Sequence, residues 1–348
     1  MIDAAAAREA DQLDGIAIPE QNLSPVIGHE AAQAHLAGIL AAERLPGAIL
    51  LHGPAGIGKA TLAFQFARQI LKRTGDEDAH RVDEQVTAGS HPNFFILRRQ
   101  PKEGRGFYTV IRVDEVRELR EDLHQTRGRS GHRVVVVDAI DDCNPSAANA
   151  LLKTLEEPPP QTLFLLVSHR PGLLLPTIKS RCLGVALRPL ADGDVRTILA
   201  GQRPDAGGAL ERAVELAEGR PRRGFEALAL TTDGALSALR NWLKAPASGR
   251  SAAHLGIADA LIAEAGGAEG GFAREIIVDW LAAEAHAAAV GGPAARRRLA
   301  SANDLWDKAH ALFADTDELN LDARQTLIAT LDAIRQHATK QASLAEPL

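Results

Sequence analysis

The feature that most constrains this chain is the segment 53–59, whose sequence GPAGIGK fits the pattern GxxxxGK. An apolar run over 47–52 precedes the segment, and a helical pattern over 59–73 follows it. A strand, a glycine-rich loop and a helix in this order form the layout of a phosphate-binding loop. Glycines let backbone N–H groups approach phosphate oxygens, and the helix presents its positive end to them. The pattern therefore predicts a nucleotide site in which Lys59 reaches the outer phosphates.

Three further apolar runs, over 94–97, 133–138 and 163–168, alternate with helical patterns in the first half of the chain. The run RVVVVD at 133–138 is polar only at its ends, which is typical of a strand buried on both faces of a parallel sheet. Such alternation predicts an α/β domain, with helices on both faces of the sheet. After about residue 188 the pattern is helical only, so we expect all-α domains to follow.

The first position after the glycine-rich motif departs from what magnesium-dependent chemistry requires. A Ser or Thr hydroxyl normally follows the lysine and holds Mg²⁺, but this chain has Ala60 there. Thr61 comes one residue later, and one residue along a helix turns the side chain by roughly 100°. We therefore expect ATP or ADP to bind weakly, through the backbone and Lys59, without efficient hydrolysis.

A second, acidic motif shows a similar loss. The run 133–138 ends in Asp138, at the position where ATPases with this loop place an aspartate linked to Mg²⁺. Hydrolysis also needs a neighbouring carboxylate that activates water, and the next residue is Ala139. Asp141 and Asp142 follow, and we interpret them as helix caps or solvated turn residues, since Asp favours such positions.

The composition of the chain limits which cellular location and which kinds of partner we expect. The net charge is −6 over 348 residues, so the chain as a whole is not a basic protein that wraps nucleic acid. Its two cysteines are too few for a disulfide scaffold or a four-cysteine zinc site, and we predict no metal ion and no zinc. The sequence shows no signal peptide, and no apolar stretch of about 18 residues predicts a membrane span. We therefore expect a cytoplasmic protein without a membrane partner.

Several segments of the first half resemble motifs of bacterial clamp-loader subunits, which belong to the AAA+ family. The most specific are NALLKTLEEPP at 149–159 and TIKSRC at 177–182, which carries the Ser-Arg-Cys signature of those subunits. Further matches are VIGHEA, LPGAILL, SHPN and VDEVR, which begin at residues 26, 45, 90 and 113. The pieces occur in the family's order across residues 23–190, and the ordered set is far more specific than any one of them.

The resemblance implies an AAA+ module, a small helical lid and a helical collar that joins a pentameric ring. It predicts an N-terminal extension over 1–22, an AAA+ domain over 23–188, a lid over 189–234 and a collar, or oligomerisation, domain over 235–348. The family's ring contains delta and tau/gamma subunits and loads the sliding beta clamp on primed DNA. The two alanines described above favour the delta-prime branch, with little or no hydrolysis of its own, over the ATP-hydrolysing tau/gamma branch.

The resemblance also implies roles for single residues. Arg181, in the Ser-Arg-Cys element, corresponds to an arginine finger that reaches the ATP site of a neighbouring subunit and stabilises transition-state charge; a surface arginine paired with a carboxylate is the alternative. Ser168 resembles the polar sensor beside the γ-phosphate, although a strand-end hydroxyl satisfied by the backbone explains it equally well. Arg220, Arg222 and Arg223 fall where the family has the lid's sensor arginine, and a solvated basic turn is the favoured interpretation for at least two of them.

The predicted nucleotide contacts combine the loop, the acidic motif and the sensor. These residues are Gly53, Pro54, Ala55, Gly56, Ile57, Gly58, Lys59, Ala60, Thr61, Asp138 and Ser168. An active ATPase, of the tau/gamma type or another AAA+ remodeller, remains the alternative, and it requires Asp141 or another carboxylate to replace the missing glutamate. A metabolic kinase is a third hypothesis, which the Ser-Arg-Cys element and the helical second half of the chain disfavour.

Overall fold

The structure is a computed structural model that describes residues 16–42, 44–101, 107–124, 129–229, 234–248, 253–264, 268–289, 295–319 and 321–345. The chain divides into two compact units, Met1–Leu228 and Ala229–Leu348. Most of the predicted N-terminal extension lies outside the described residues. The finer domain boundaries predicted from the sequence stay predictions.

The first unit is built on one five-stranded parallel sheet with the strand order β2-β3-β4-β1-β5. Its strands are β1 Ala48–His52, β2 Phe94–Arg98, β3 Arg133–Asp138, β4 Thr162–Ser168 and β5 Leu183–Ala186. The predicted α/β class with a parallel sheet is confirmed. Because the strands are parallel, their carboxyl ends meet at one edge of the sheet, where ligands of such sheets bind.

The valines of β3 show why this sheet is buried on both faces. All four, at 134–137, are 0% exposed. Val134 and Val136 belong to an apolar cluster with residues of the helices α1 (Glu30–Ala41) and α2 (Lys59–Thr74). Val135 and Val137 belong to a second cluster with residues of α4 (Val113–His124) and α5 (Pro145–Glu156). Successive side chains of a strand point to opposite faces, so a continuous apolar run supplies both cores at once.

The helices of this unit cover the two faces of the sheet and then continue past β5. They are α1 Glu30–Ala41, α2 Lys59–Thr74, α3 Ala79–Thr87, α4 Val113–His124, α5 Pro145–Glu156, α6 Pro176–Lys179, α7 Asp192–Gln202, α8 Ala209–Ala217 and α9 Pro221–Ala229. α5 starts where it does because the Asn144 side chain accepts a hydrogen bond from Ala147 N (2.8 Å) and Pro145 occupies the first position. The polar cap thereby separates the acidic motif after β3 from the helix.

A short 3₁₀ helix, Pro19–Gln21, fastens the N-terminal segment to the sheet domain. Glu20 is buried, and its Oε1 lies 2.7 Å from Arg98 Nη2 at the end of β2. The guanidinium of Arg68, on α2, donates to the carbonyl oxygen of Glu20. The segment thus places a carboxylate beside the carboxyl edge of the sheet.

Helices alone form the described part of the second unit, as the sequence predicts for this part of the chain. They are α10 Gly234–Lys244, α11 Ala253–Glu264, α12 Ala268–Ala289, α13 Ala295–Leu319 and α14 Ala323–Ala345. Glu284 on α12 ties three of them together, because it pairs with Arg298 on α13 (2.8 Å) and with His337 on α14 (3.1 Å). Among the residues described, none of the helices is both long and apolar enough to cross a membrane.

Candidate nucleotide-binding site and arginine finger

Three glycines shape the loop between β1 and α2. Gly53, Gly56 and Gly58 have φ values of 151°, 77° and 95°, a region that side chains of L residues rarely adopt. A Cβ atom on Gly53 would lie 2.3 Å from the carbonyl oxygen of Leu187, so no side chain fits there. α2 begins directly after the loop, and the N–H groups of its first turn have no partner inside the helix. The loop and helix therefore form a cradle that suits an anion.

Lys59 is 3% exposed and is turned onto its own loop. Its Nζ donates to the carbonyl oxygens of Gly53 (2.8 Å) and Pro54 (2.5 Å). Burial lowers the pKa of Lys59 to about 8, Asp138 and Asp141 oppose that change, and the charge of Arg220 adds to it. A phosphate at this loop has to replace the two carbonyl oxygens as the acceptor for the ammonium group, which weakens the net gain from binding.

The position after Lys59 carries no hydroxyl that could hold magnesium. Ala60 and Thr61 are the next two residues of α2, and both are half-buried in the first turn. The helical phase between them is roughly 100°, so Thr61 does not occupy the position at which a hydroxyl is needed. The structure brings Lys59, Ala60 and Thr61 to the phosphate cradle, but it supplies no substitute for the missing oxygen ligand there.

Asp138 lies at the carboxyl end of β3, where the sequence places it. Burial raises the pKa of Asp138 to about 6, and the charges of Asp142 and Glu20 raise it further, while Arg98 and Lys59 lower it. Arg98 is its register partner on β2. The carboxyl group therefore sits among the cations of Arg98 and Lys59, and its negative charge is costly in this environment.

Asp141 has a different role from the one that the sequence favours. Its carboxylate accepts hydrogen bonds from Ser168 Oγ (3.0 Å), His169 N (2.5 Å) and Arg170 N (3.3 Å). The interpretation of Asp141 as a helix cap or a solvated turn residue is wrong, because the cap of α5 is Asn144 and three donors hold the carboxylate. Asp142, interpreted in the same way, pairs with Arg99 at 3.0 Å.

Ser168, the predicted sensor, is fully buried at the end of β4 and lies beside His52 in the register of β1 and β4. Its hydroxyl donates to the carboxylate of Asp141 and not to the backbone, and its role as a sensor stays a prediction. A hydroxyl has one proton to donate. Donation from Ser168 to a γ-phosphate would require that it leave Asp141.

The helix α9, which lies in the predicted lid, contacts the phosphate loop. The backbone N–H of Arg222 donates to Gly56 O (3.2 Å), and a Cβ atom on Gly56 would lie 2.9 Å from Arg222 Cβ. Arg223 is buried and pairs with Glu218 (2.9 Å). Of the three arginines, Arg220 is the one whose charge contributes to the lowered pKa of Lys59. Which of the three is the sensor arginine stays a prediction.

The sequence analysis gave no role to His29. It lies before α1 with a φ of 58°, and its Nε2 is 2.7 Å from the carbonyl oxygen of Ile57. The only signal in the sequence is its place in the VIGHEA segment. The contact joins the N-terminal motif to the far side of the phosphate loop.

Arg181 lies two residues after α6 and is 35% exposed. Its Nη2 is 2.7 Å from Glu156 Oε1 at the end of α5, and its Nη1 donates to Thr177 O (2.9 Å). The pairing with a carboxylate, which the sequence left as an alternative, is present in this structure. It does not remove the finger interpretation, because an exposed ion pair is weak and exchanges readily.

The two cysteines are free thiols. Burial raises the pKa of Cys143 to about 12 and that of Cys182 to about 11, so neither is a reactive thiolate at neutral pH. Within the described ranges, no group of three His, Cys, Asp or Glu side chains is arranged to hold a metal ion.

Together these observations fit a nucleotide polyphosphate better than they fit a magnesium-dependent hydrolase. The cradle of glycines, the first turn of α2, Lys59 and Arg220 all favour an anion. The half-buried carboxyl of Asp138 has no hydroxyl at position 60 of α2 with which to share Mg²⁺. Asp141, which the alternative of an active ATPase requires in place of the missing glutamate, accepts hydrogen bonds from Ser168 and two backbone N–H groups.

Comparisons with known proteins show which proteins this chain is similar to. A family model described as DNA polymerase III, delta subunit, matches residues 28–191. The DNA polymerase III subunit delta' of Pseudomonas aeruginosa is 38% identical over 207 residues, which are 58% of each chain. Its counterpart from Escherichia coli is 34% identical over 178 residues, 50% of this chain and 52% of that one. The DNA polymerase III subunit tau of Escherichia coli is 31% identical over 187 residues, 51% of this chain and 27% of that one.

The chain spans between about half and three fifths of the length of these delta' relatives. A solved gamma subunit-related protein of DNA polymerase III from Thermotoga maritima covers 88% of this chain and 99% of its own at 18% identity, with a TM-score of 0.42. Residues 28–191, which the family model matches, include the sheet, the phosphate loop and the Ser-Arg-Cys element. Over part of its length, the chain is thus similar to DNA polymerase III delta and delta' subunits.

Proposed function

We propose that this chain is a structural ring subunit of the DNA polymerase III clamp loader, in which it assembles with delta and tau/gamma subunits. In that complex it helps to load the sliding beta clamp on primed DNA. The proposal is supported by the family model that matches residues 28–191 and by the names of the delta' and tau relatives. The cytoplasmic location and the collar role of the second unit stay predictions.

In this proposal the chain has little or no ATP hydrolysis of its own. Ala60 removes the hydroxyl ligand of Mg²⁺, and Ala139 removes the carboxylate that activates water. Asp141 cannot take over at low cost, because its three donors would lose their acceptor. The contacts of Asp141 therefore argue against the alternative of an ATP-hydrolysing motor.

Weak binding of ATP or ADP is compatible with the cradle. The backbone of 53–58 and the first turn of α2 would hold the phosphates, and Lys59 and Arg220 would supply the positive charge. The carbonyl oxygens of Gly53 and Pro54 compete for Lys59. Bound nucleotide would neutralise this cluster of cations and stabilise the contact between the loop and α9.

The contribution of this chain to hydrolysis would be made in the site of a neighbour, through Arg181. The observation that carries this step is the exposed position of the Arg181 guanidinium, two residues beyond α6, with its contacts on α5 and α6. An arginine that is exposed on the surface, outside the cradle of its own chain, can reach a γ-phosphate bound elsewhere. Such a residue stabilises transition-state charge and typically changes the rate by about 10³- to 10⁵-fold.

The test is ATP turnover by an assembly of tau/gamma and delta subunits, measured with and without this chain in the presence of beta clamp and primed DNA. We expect the wild-type chain to restore stimulated turnover. Arg181→Ala should assemble but lower turnover at the neighbouring site by about 10³-fold or more, so that this site's share of the total rate disappears. Arg117→Ala, which removes an exposed arginine paired with Asp114 on α4, is the matched control and should behave as wild type.

Lys59→Ala separates the ring-subunit proposal from an active ATPase. If the cradle of this chain does not hydrolyse ATP, the variant should leave turnover of the assembly unchanged. Measurable turnover by the isolated chain that disappears in Lys59→Ala would refute the proposal and support the motor. Equal rates for the wild type and Arg181→Ala would refute the finger.

A further inference from the structure

The guanidinium of Arg181 is bound on two sides by its own chain. Nη2 lies 2.7 Å from Glu156 Oε1, and Nη1 donates to the carbonyl oxygen of Thr177 at 2.9 Å. These acceptors come from two elements, the end of α5 and the start of α6. The two terminal nitrogens that form a fork toward a phosphate each donate a bond within the chain. Arg181 therefore has to exchange acceptors before it can bind a phosphate with full geometry.

Glu156 stands at an unfavourable place for a carboxylate. It is the last residue of α5, where the helix dipole presents its negative end, and Glu157 follows it immediately. Lys153 lies in the same last turn and Arg181 pairs with the carboxylate from α6. Helix stability alone favours a cation or a neutral residue at such a position. The charge of Glu156 is therefore better explained by its contact with Arg181 than by the helix that carries it.

We propose that Glu156 is a positioning residue that holds the arginine finger against α5 and α6 until the triphosphate of a neighbouring subunit displaces it. This inference rests on the function proposed above for Arg181. A polyphosphate carries more negative charge than one carboxylate and offers several oxygens to the fork, so it wins the exchange. Without a nucleotide in the neighbouring site, Glu156 keeps the guanidinium close to its own chain.

The strength of the ion pair between Arg181 and Glu156 depends on how exposed the two side chains are. The side chains of Arg181 and Glu156 are 35% and 42% exposed, so solvent screens their attraction. Exposed ion pairs of this kind change an equilibrium by about 1.5- to 5-fold. That factor is small beside the effect of the finger on the rate. Glu156 therefore shifts the ATP concentration at which Arg181 binds the neighbour's phosphate, and it does not prevent that binding.

The first test uses the isolated chain and the rate at which phenylglyoxal modifies Arg181, followed by mass spectrometry of its peptide. Glu156→Gln should raise the modification rate by about 1.5- to 5-fold, because it releases the guanidinium. Glu157→Gln removes the same charge one residue later and is the matched control, with no change expected. Equal rates in the wild type and both variants would overturn the inference and leave the proposed finger untouched.

The second test is ATP turnover of the complete assembly as a function of ATP concentration. Glu156→Gln should lower the half-saturating ATP concentration by about 1.5- to 5-fold, whereas Glu157→Gln should not change it. In an Arg181→Ala background, Glu156→Gln should have no effect, which a merely structural role of Glu156 would not explain. A fall in maximal rate like that of Arg181→Ala would mean that Glu156 presents the finger, and would overturn the inference. Full turnover by Arg181→Ala would refute the finger and this inference together, even if the modification rates still differ.

Discussion

Asp138 offers the most quantitative test of the site, because desolvation makes the charge of this half-buried carboxyl costly. The pKa of this carboxyl is raised from 3.8 to about 6, chiefly by burial. At about 1.4 kcal/mol per pKa unit, the ionised form is disfavoured by about 3 kcal/mol in the folded chain. Asp138→Asn keeps the shape of the side chain and removes the charge. We therefore expect the variant to be more stable than the wild type at pH 7.5, by up to about 3 kcal/mol.

The gain should depend on pH with a definite sign. Between pH 4 and 6 the folded wild type holds a proton on Asp138 that the unfolded chain has released, so wild-type stability falls as the pH rises through this window. Below about pH 4 both states are protonated and the cost vanishes. The difference in unfolding free energy between Asp138→Asn and wild type should therefore be near zero at pH 4 and complete above about pH 6.5.

The assay has to report on the first unit. All three tryptophans, Trp242, Trp280 and Trp306, lie in the second unit, so their emission reports on that unit alone. Hydrogen exchange of peptides that cover β3, measured by mass spectrometry across a urea series, reports on the first unit. Asp114→Asn, whose side chain is 73% exposed on α4, is the control and should change stability by less than about 0.5 kcal/mol. A variant that is no more stable at pH 7.5 than at pH 4, relative to wild type, would refute the argument from burial.

Two further predictions concern the loop and its support. Asp141→Ala removes the acceptor of Ser168 Oγ and of two backbone N–H groups. It should lower the unfolding free energy of the first unit by about 2 to 4 kcal/mol in the same exchange assay. An unchanged unfolding free energy would contradict the anchoring role of Asp141. Gly56→Ala places a Cβ atom 2.9 Å from Arg222 Cβ at a φ of 77°. The substitution should lower the unfolding free energy of the first unit by about 1 to 3 kcal/mol. It should also weaken binding of a fluorescent ADP analogue in a titration. Gly38→Ala, on α1 with open space around it, is the control and should be neutral or slightly stabilising.

The sheet and the loop could be predicted because their signals are local. β3 and β4 are continuous apolar runs, which are typical of strands buried on both faces of a sheet. The glycines of 53–58 indicate the turn between β1 and α2. β5 gave no such signal. It has four residues, bonds only to β1 at the edge of the sheet, and exposes most of its side chains. α3 was missed as well, although Asp78 caps it.

The contacts that decide the chemistry of the site could not be predicted, because they join distant parts of the chain. Asp141 meets Ser168 and the two residues after it only because β3 and β4 are neighbours in the sheet. Arg220 acts on Lys59 only because α9 contacts the phosphate loop. In both cases the sequence shows the charged residue, but the residue that it contacts depends on how the strands and helices are arranged in the fold. Capping and solvation were the local explanations available, and for Asp141 they were wrong.

The surroundings of Ala139 support the proposal that this chain hydrolyses little or no ATP. Ala139 is buried in the same apolar cluster as Val134, Val136 and Val167. A glutamate at this position would have to carry its charge out of the cluster or be protonated, because an unpaired buried carboxylate is expensive. A glutamate at this position would thus require the neighbouring packing to change as well. Under the proposed function, a ring subunit would use the anion cradle and the exposed Arg181, and the apolar packing around Ala139 disfavours a catalytic carboxylate at that position.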